Sequence, residues 1–522
     1  MADRYDVIVI GAGLGGLTAA ALLAQAGRKT LLIERNYGVG GAASTYKSGD
    51  LVVEASLHET SDPNDTTDPK HHVLARLGVL DKVAWVPAGA LYEVRGGPLG
   101  APFVLPDGFS TAQRALVDRF PSARAGIGSV LGEMERISTA VGVLSKGRQA
   151  FDQPLQELSA LAKLGPVVTG WRRSLAEQFE RAFGDDEAVK CALAANLLYW
   201  HDDPETLWWM LFAVAQGGYI GSGGRYVRGG SQRLSHALAR ALKSAGGEIL
   251  LRRPVTEILL DGEGHPIGVA HERSEGGERA EVRAPIVVSN AAPAHVADML
   301  PKPARERFFA PYAGRPLSIS LFSATYGLSQ RPAEIGLQSY STILLQKWLR
   351  RLSDYRRCGL LTAGLPADDM PVMAVVDYSA IDSGLGGPPY PVSVVGVDRT
   401  ANWAGLDGTA YAEKRARWSK AILAAIDREF PGFAAKVVAS VFSTASTMNT
   451  YLNAPQGAVY GFAPLPPAGP IWKGPQSSPK TAIEGLYLAS SYAGSGGFTG
   501  AILGGAAAAE QVLAASRAVR KK

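Results

Sequence analysis

Near the N-terminus, three glycines stand at a spacing that does its chemistry by leaving side chains out. The run Tyr5-Asp6-Val7-Ile8-Val9-Ile10 is β-branched and apolar, the pattern of a buried parallel strand, and it ends at Gly11-Ala12-Gly13-Leu14-Gly15-Gly16. This is a G-x-G-x-x-G with Gly11, Gly13 and Gly16 as its glycines. Gly11 permits the tight turn, Gly13 lets the backbone approach a pyrophosphate, and Gly16 lets a helix pack close to the strand. The start of that helix offers free N–H groups and a partial positive charge to phosphates. Thr30–Ile33 reads as a second strand, and it ends at Glu34. A carboxylate there accepts hydrogen bonds from both hydroxyls of an adenosine ribose and disfavours the 2′-phosphate of NADP.

These residues need particular elements to hold them. Leu17–Ala26 is Ala/Leu-rich and helical, stopped at Gly27. In the middle of the chain, Leu234, Ala237, Leu238, Ala241, Leu242 and Ala245 give a helix one apolar face, ended by Gly246-Gly247. Glu248–Leu251 follows as a strand, then Val255–Leu260 and Pro266–His271 as a hairpin around Asp261-Gly262. Ile286–Ser289 is another buried strand, ending at Asn290. Gly485–Ala489 reads as a strand, Ser490–Gly497 as a small-residue turn, and Phe498–Leu513 as an Ala/Gly/Leu helix. Residues 113–215 read as mostly helical, with Leu207–Phe212 as a buried core helix in preference to a tunnel lining or a membrane-resting patch. Pro371–Asp377 and Pro391–Val397 are strand-like, and Tyr411–Phe430 is a helix ended by Pro431-Gly432.

Composition excludes several classes. The 522 residues carry 53 Lys and Arg against 48 Asp and Glu. The basic cluster Arg517, Arg520, Lys521 and Lys522 reads as a solvated helix end, so no nucleic-acid footprint emerges. Two distant cysteines, Cys191 and Cys358, exclude a disulfide scaffold and a thiolate zinc site, and fit a reducing compartment. The histidines are scattered, and Asp62, Asp65 and Asp68 lack the glycine and distal glutamate of a calcium loop. These aspartates and His71-His72 read as solvated loop residues, and no metal is expected. Val7–Gly27 carries no Lys, Arg, Asp or Glu, but its glycines break it as a membrane span; Leu207–Ala215 is too short for one. The expected location is cytoplasmic, with peripheral membrane contact left open. There are 60 glycines, about 11% against a usual figure of about 7%, and no collagen repeat accompanies them.

Six residues past Glu34 stands Gly40-Gly41-Ala42-Ala43-Ser44-Thr45. It resembles the second signature, E-x5-GG-(R)-x-x-S/T, of FAD enzymes of the amine oxidase and phytoene desaturase type. Ala42 replaces the usual arginine, so an arginine contact to the phosphates does not carry over. Arg228-Gly229-Gly230 with the strands after it resembles the middle of the FAD domain in these families, where Val255 would meet the adenine through its backbone. Ser495-Gly496-Gly497-Phe498-Thr499-Gly500 resembles the closing motif, in which a helix N-terminus faces the flavin. Val53–His58 occupies the place of "F-D-x-G-x-H/S", with Glu54 as the acid, and Gln456–Gly461 resembles "G-A-I-Y-G". Together these segments resemble the phytoene desaturase, carotenoid isomerase and retinol saturase group. The resemblance implies FAD, held by Gly11, Gly13, Leu14, Gly15, Gly16, Glu34, Arg35, Gly40, Gly41, Ala42, Ser44, Val255, Asn290, Ser491, Gly497, Phe498 and Thr499. It also brings His58 near the flavin as a candidate proton donor or acceptor, beside the blander reading of a structural histidine.

The expected fold is α/β. A Rossmann-type FAD-binding domain is assembled from residues 1–75, 220–300 and 480–522, and an α+β substrate domain from 76–219 and 301–479. The substrate domain's strands would form a sheet over the flavin face. No second complete strand-GxGxxG-helix unit is present, so stable NAD(P)H docking is not expected. The resemblance implies redox chemistry at a C–H/C=C unit of a hydrophobic isoprenoid or polyene: desaturation, saturation or isomerisation, with oxygen or a quinone as acceptor. Two alternatives stay open at this point, an amine-oxidase-like reaction on a small amine or amino acid and a non-catalytic flavin-binding protein. The oligomeric state is not legible.

Overall fold

Val7–Ile10 is buried throughout and pairs in parallel on both sides, with Thr30–Ile33 and with Ile286–Ser289. Such a strand has no solvated face, which is why its sequence is a continuous apolar run. The computed structural model describes residues 4–144, 170–470 and 477–520, so Lys521 and Lys522 of the basic tail lie outside the described residues, as does part of the helical stretch expected over 113–215. Glu248–Leu250 and Leu486–Leu488 complete the sheet at its two edges, each again parallel. The five strands therefore come from the beginning, middle and end of the chain. Their order, with the first strand central and the later ones turning to its other side, is that of a doubly wound dinucleotide fold. Leu14–Gln25 and Gln232–Ser244 pack together on this sheet, the second through Leu234, Ala237, Leu238 and Leu242. The expected hairpin forms as Val255–Leu260 and Pro266–His271, with a third strand, Ala280–Arg283, beside it.

The closing helix, Gly497–Arg520, packs along Leu14–Gln25. Their approach is close because both surfaces are glycine. A Cβ on Gly505 would collide with the carbonyl oxygen of Gly15, and one on Gly15 with that of Ala489. Over Gly497–Ser516 this helix is long and apolar enough, by length and composition, to cross a membrane, a property the sequence reading had looked for elsewhere. Here Ile502, Ala506, Ala508, Ala509 and Val512 belong to the core under the dinucleotide sheet.

A second, seven-stranded mixed sheet runs in the order 437–443, 320–328, 390–398, 373–377, 341–345, 92–96, 103–105. Alternation divides its faces. Phe322, Ala324, Tyr326, Val392 and Val394 pack with Trp418, Ile422 and Ile426 of the helix Gly408–Glu429. Leu321, Ser323, Thr325, Val395, Val441 and Ser443 line a cavity on the opposite face. Helices Phe109–Arg119, Arg124–Leu144 and Trp209–Ser222 contribute to the wall of that cavity and, with Leu175–Phe183, build their own core. The apolar Leu207–Phe212 run is mostly core, as expected, with Leu211 on the cavity wall. Leu207, Trp209 and Phe212 are fully buried in this core, while Leu211, Val214 and Ala215 line the cavity.

Candidate active site

One cavity of about 1410 Å³ runs from the dinucleotide sheet to the helices. That exceeds the about 300–1,000 Å³ of a usual single-ligand site and leaves room for a dinucleotide with a second molecule. Of the residues expected at the cofactor, Gly11, Gly13, Leu14, Gly15, Glu34, Arg35, Gly40, Gly41, Ala42, Ser44, Val255, Asn290, Ser491, Gly497, Phe498 and Thr499 all line it, and so does His58. Gly16 stands behind this wall, where a Cβ would collide with the carbonyl oxygen of Gly11.

The cofactor end is organised by backbone donors. Glu34 is 6% exposed; one carboxylate oxygen accepts the Ala12 N–H at 2.6 Å and the other the Asn36 N–H at 2.8 Å. Each oxygen keeps a further lone pair, so the fixed carboxylate can still accept hydrogen bonds from a ligand. Asn290 Oδ1 accepts the Gly16 N–H at 3.0 Å, and a Cβ on Gly13 would press on Asn290 Nδ2. Gly13 is thus required by the protein's own packing as well as by any phosphate. The Gly40 N–H donates to the Ala12 carbonyl at 2.8 Å, laying the two glycine segments side by side. Ser44 Oγ donates to the Gly41 carbonyl at 2.7 Å, and Arg35 Nη2 to the carbonyls of Thr450 and Tyr451 at 2.9 and 2.7 Å. Those two polar ends are engaged by the protein itself. The start of the closing helix, Gly497 to Ala501, faces the same space. A glycine cradle that side chains would fill, a fixed ribose acceptor and two helix N-termini on one groove fit FAD.

Between the cofactor end and the helices lies the segment 54–59. Glu54 is 2% exposed and ties this segment to the middle of the chain. It accepts from the Ser231 N–H at 2.8 Å, Ser231 Oγ at 2.5 Å, Thr45 Oγ1 at 2.9 Å and the Tyr226 hydroxyl at 3.0 Å. Three tyrosines then anchor consecutive carbonyls: Tyr378 donates to Leu57 at 3.0 Å, Tyr340 to His58, and Tyr219 to Glu59 at 3.0 Å. His58 Nδ1 lies 3.1 Å from the Tyr199 hydroxyl. Burial lowers the His58 pKa to about 4, so the ring is neutral at pH 7. Glu59, also on the cavity wall, has a carboxylate oxygen that is buried without a hydrogen-bond partner, and burial raises its pKa to about 8. In the sequence Glu59 stands beside His58 without a role of its own, because an acid next to a histidine carries no mark of burial.

The aspartate loop corrects one expectation. Asp68 pairs with Lys70 at 2.8 Å, with both side chains almost fully buried, and Asp62 pairs with Arg225 at 2.8 Å. They are structural pairs rather than solvated loop residues, because Ser61 and the strand Gly224–Val227 cover them. His71-His72, read as part of a polar loop, opens the short helix His71–Arg76.

The profile of the family described as flavin containing amine oxidoreductase matches residues 14–318. The chain belongs to this family. Within it the chain is 28% identical over 297 residues to the all-trans-retinol 13,14-reductase of Macaca fascicularis, covering 55% of this chain and 47% of that protein. It is 26% identical over 513 residues to a prolycopene isomerase of an Oncidium hybrid, covering 93% and 80%. The chain spans about half the length of the first retinol reductases it matches. Among solved structures, a putrescine oxidase double mutant superposes with a TM-score of 0.62 at 17% identity, covering 98% of this chain and 99% of that one. At that identity the likeness carries the fold alone. The family's flavin agrees with the cradle described above, and FAD is the cofactor.

Proposed function

We propose that this protein is an FAD-dependent oxidoreductase or isomerase acting on C–H/C=C units of a hydrophobic polyene or isoprenoid. The carrying observation is that the cofactor groove continues, without a break, into a space walled by Leu211, Val214, Leu321, Val395 and Val441. Apolar walls of this kind reward an apolar substrate by about 25 cal/mol per Å² of surface buried. The retinol reductases and prolycopene isomerases among the relatives act on polyenes by their names, which supports the same class here. When bound, FAD supplies hydride exchange at its ring system. The chain's own residues do the rest. Glu34 and the glycine turns orient the dinucleotide, the helices and the mixed sheet exclude water, and the neutral His58 ring with Tyr199 forms a polar point beside the substrate. A substrate of this class arrives from a lipid phase or a carrier, so peripheral membrane contact belongs to the proposal, as does oxygen or a quinone as electron acceptor.

The test uses flavin-loaded protein under anaerobic conditions, mixed with retinoid and carotene polyenes and with small amines. With prereduced flavin, a polyene product that has gained two hydrogens supports saturation. With oxidised flavin, bleaching by the polyene and a product that has lost two hydrogens supports desaturation. A rearranged product of unchanged mass, formed only with prereduced flavin, supports isomerisation. Bleaching of oxidised flavin by an amine, with no polyene changed in any arm, overturns the reading.

A further inference from the structure

We propose that Glu59 is the general acid of this site, delivering a proton from a neutral carboxyl group to a carbon of the substrate. The inference rests on the proposed polyene chemistry and goes beyond it by assigning the proton. Glu59 lines the cavity, is 7% exposed, and has a side-chain oxygen buried without a hydrogen-bond partner. The surroundings explain why that oxygen has none. Tyr92, Tyr199, Tyr219 and Tyr340 lie close enough to feel its charge, yet their hydroxyls are already committed. Tyr92 donates to the carbonyls of Ala192 and Leu193 at 3.0 Å, Tyr219 to the Glu59 carbonyl and Tyr340 to the His58 carbonyl. Tyr199 is engaged with His58 Nδ1. The cations of the neighbouring loop and strand are engaged too, Lys70 by Asp68 and Arg225 by Asp62. Among the described residues, Oε2 of a carboxylate in this place would have no donor and no uncommitted cation to hold its charge, and burial without either favours the neutral acid.

The carboxyl is also held in position. Its Oε2 packs against Gly224, where a Cβ would collide with it. Its backbone is fixed by the Tyr219 hydroxyl and by the strand Thr60–Ser61 pairing with Gly224–Arg225. A proton donor needs both a fixed place and a pKa near the working pH, and burial brings Glu59 to about 8. His58, buried and neutral, is left as a hydrogen-bonding neighbour.

In saturation the electrons balance as follows. One carbon of the C=C bond takes a hydride from reduced flavin, and the neighbouring carbon takes the Glu59 proton. The π bond breaks, two C–H bonds form, and the step leaves oxidised flavin and a Glu59 carboxylate that water reprotonates. In desaturation the carboxylate accepts the proton and the steps run in reverse.

The test has two arms on the flavin-loaded full chain. In the first, infrared difference spectra are recorded as pH rises from 6 to 9. The expected result is a protonated-carboxyl C=O band that disappears with a midpoint near pH 8, is absent from Glu59→Gln and is displaced in Glu59→Asp. That assignment separates it from Glu54 and Asp377, the two other carboxyl groups that burial pushes up among the described residues. In the second, single turnovers with prereduced flavin and a polyene compare the wild type with Glu59→Gln. The expected loss in the single-turnover rate is about 100-fold or more, with the polyene concentration for half-maximal rate unchanged, and with deuterium from D2O entering one product carbon of the wild type. No Glu59-dependent band at pH 6, or a variant that turns over at the wild-type rate, overturns the proposal. If Glu59→Gln fails to retain flavin, Glu59→Asp decides: the wild-type single-turnover rate with an undisplaced band overturns the proposal. Should the wild type turn over no polyene while the infrared band behaves as expected, the substrate reading fails and the neutral acid stands.

Discussion

Glu54, His58 and Glu59 lie within one short stretch, yet their surroundings give them different chemistry. Glu54 is buried among five hydrogen-bond donors, the Leu57 N–H at 3.4 Å being the longest. Burial still raises its pKa as the larger effect, with those bonds opposing. Replacing it with alanine strands the Ser231 N–H and three hydroxyls, each costing about 1–3 kcal/mol when left unsatisfied. Glu54→Ala is therefore expected to lose at least about 3 kcal/mol, read by chemical denaturation. The other two residues oppose each other in pH. A histidine lowered to about 4 loses stability as pH falls from 6.5 toward 4. A glutamate raised to about 8 loses stability as pH rises from 4.5 toward 8. Between pH 6.5 and 8 only the glutamate contributes. The stability difference between wild type and Glu59→Gln should therefore change across that window by up to about 1.4 kcal/mol per pH unit. A flat difference there means that Glu59 is ionised. None of this was visible in the residues themselves. The sequence marked His58 through its neighbourhood, but the tyrosines that decide Glu59 come from positions 92, 199, 219 and 340.

Among the elements, the crossing of Leu14–Gln25 with Gly497–Arg520 matters most, because it sets the start of both helices against the cofactor groove. Its contact surface is backbone on backbone at Gly15 and Gly505. Gly505→Val is expected to force the helices apart at a cost of about 1–3 kcal/mol or more, and to lose bound flavin on gel filtration. Gly262, which has nothing within 4 Å of a Cβ, provides the control: Gly262→Ala should keep its flavin and its melting temperature. These elements were largely legible. A strand buried on both faces is a continuous apolar run, a dinucleotide turn requires glycine, and the Asp261-Gly262 turn marked its hairpin. The aspartate loop was not legible, because burial of a charge depends on partners such as Arg225 that lie far along the chain. The division of Trp209–Ser222 between core and cavity was hidden for a related reason, since an almost wholly apolar helix shows no preferred face.

For the whole molecule, the cavity makes the cofactor part of the interior. FAD binding to the folded chain adds stability by mass action, about 4 kcal/mol at a concentration a thousand times Kd. Removal of flavin should therefore lower the melting temperature markedly, and added FAD should restore it. NADP should not, because a carboxylate at the end of the second strand disfavours a 2′-phosphate. An equal rise with both nucleotides contradicts the role given to that carboxylate.

The parallel sheet also imposes an order on the protein's birth. Its central strand, Val7–Ile10, leaves the ribosome early, but the edge beside Ile286–Ser289 stays uncovered until Leu486–Leu488 is made. The helix that seals the phosphate turn is made later still. During translation the nascent chain therefore carries an open β-edge and a half-built nucleotide groove, a state prone to wrong pairing. Flavin capture waits for the last stretch of the described chain. A truncation or a stall before that point yields a polypeptide whose nucleotide groove lacks the wall formed by Gly497–Ala501.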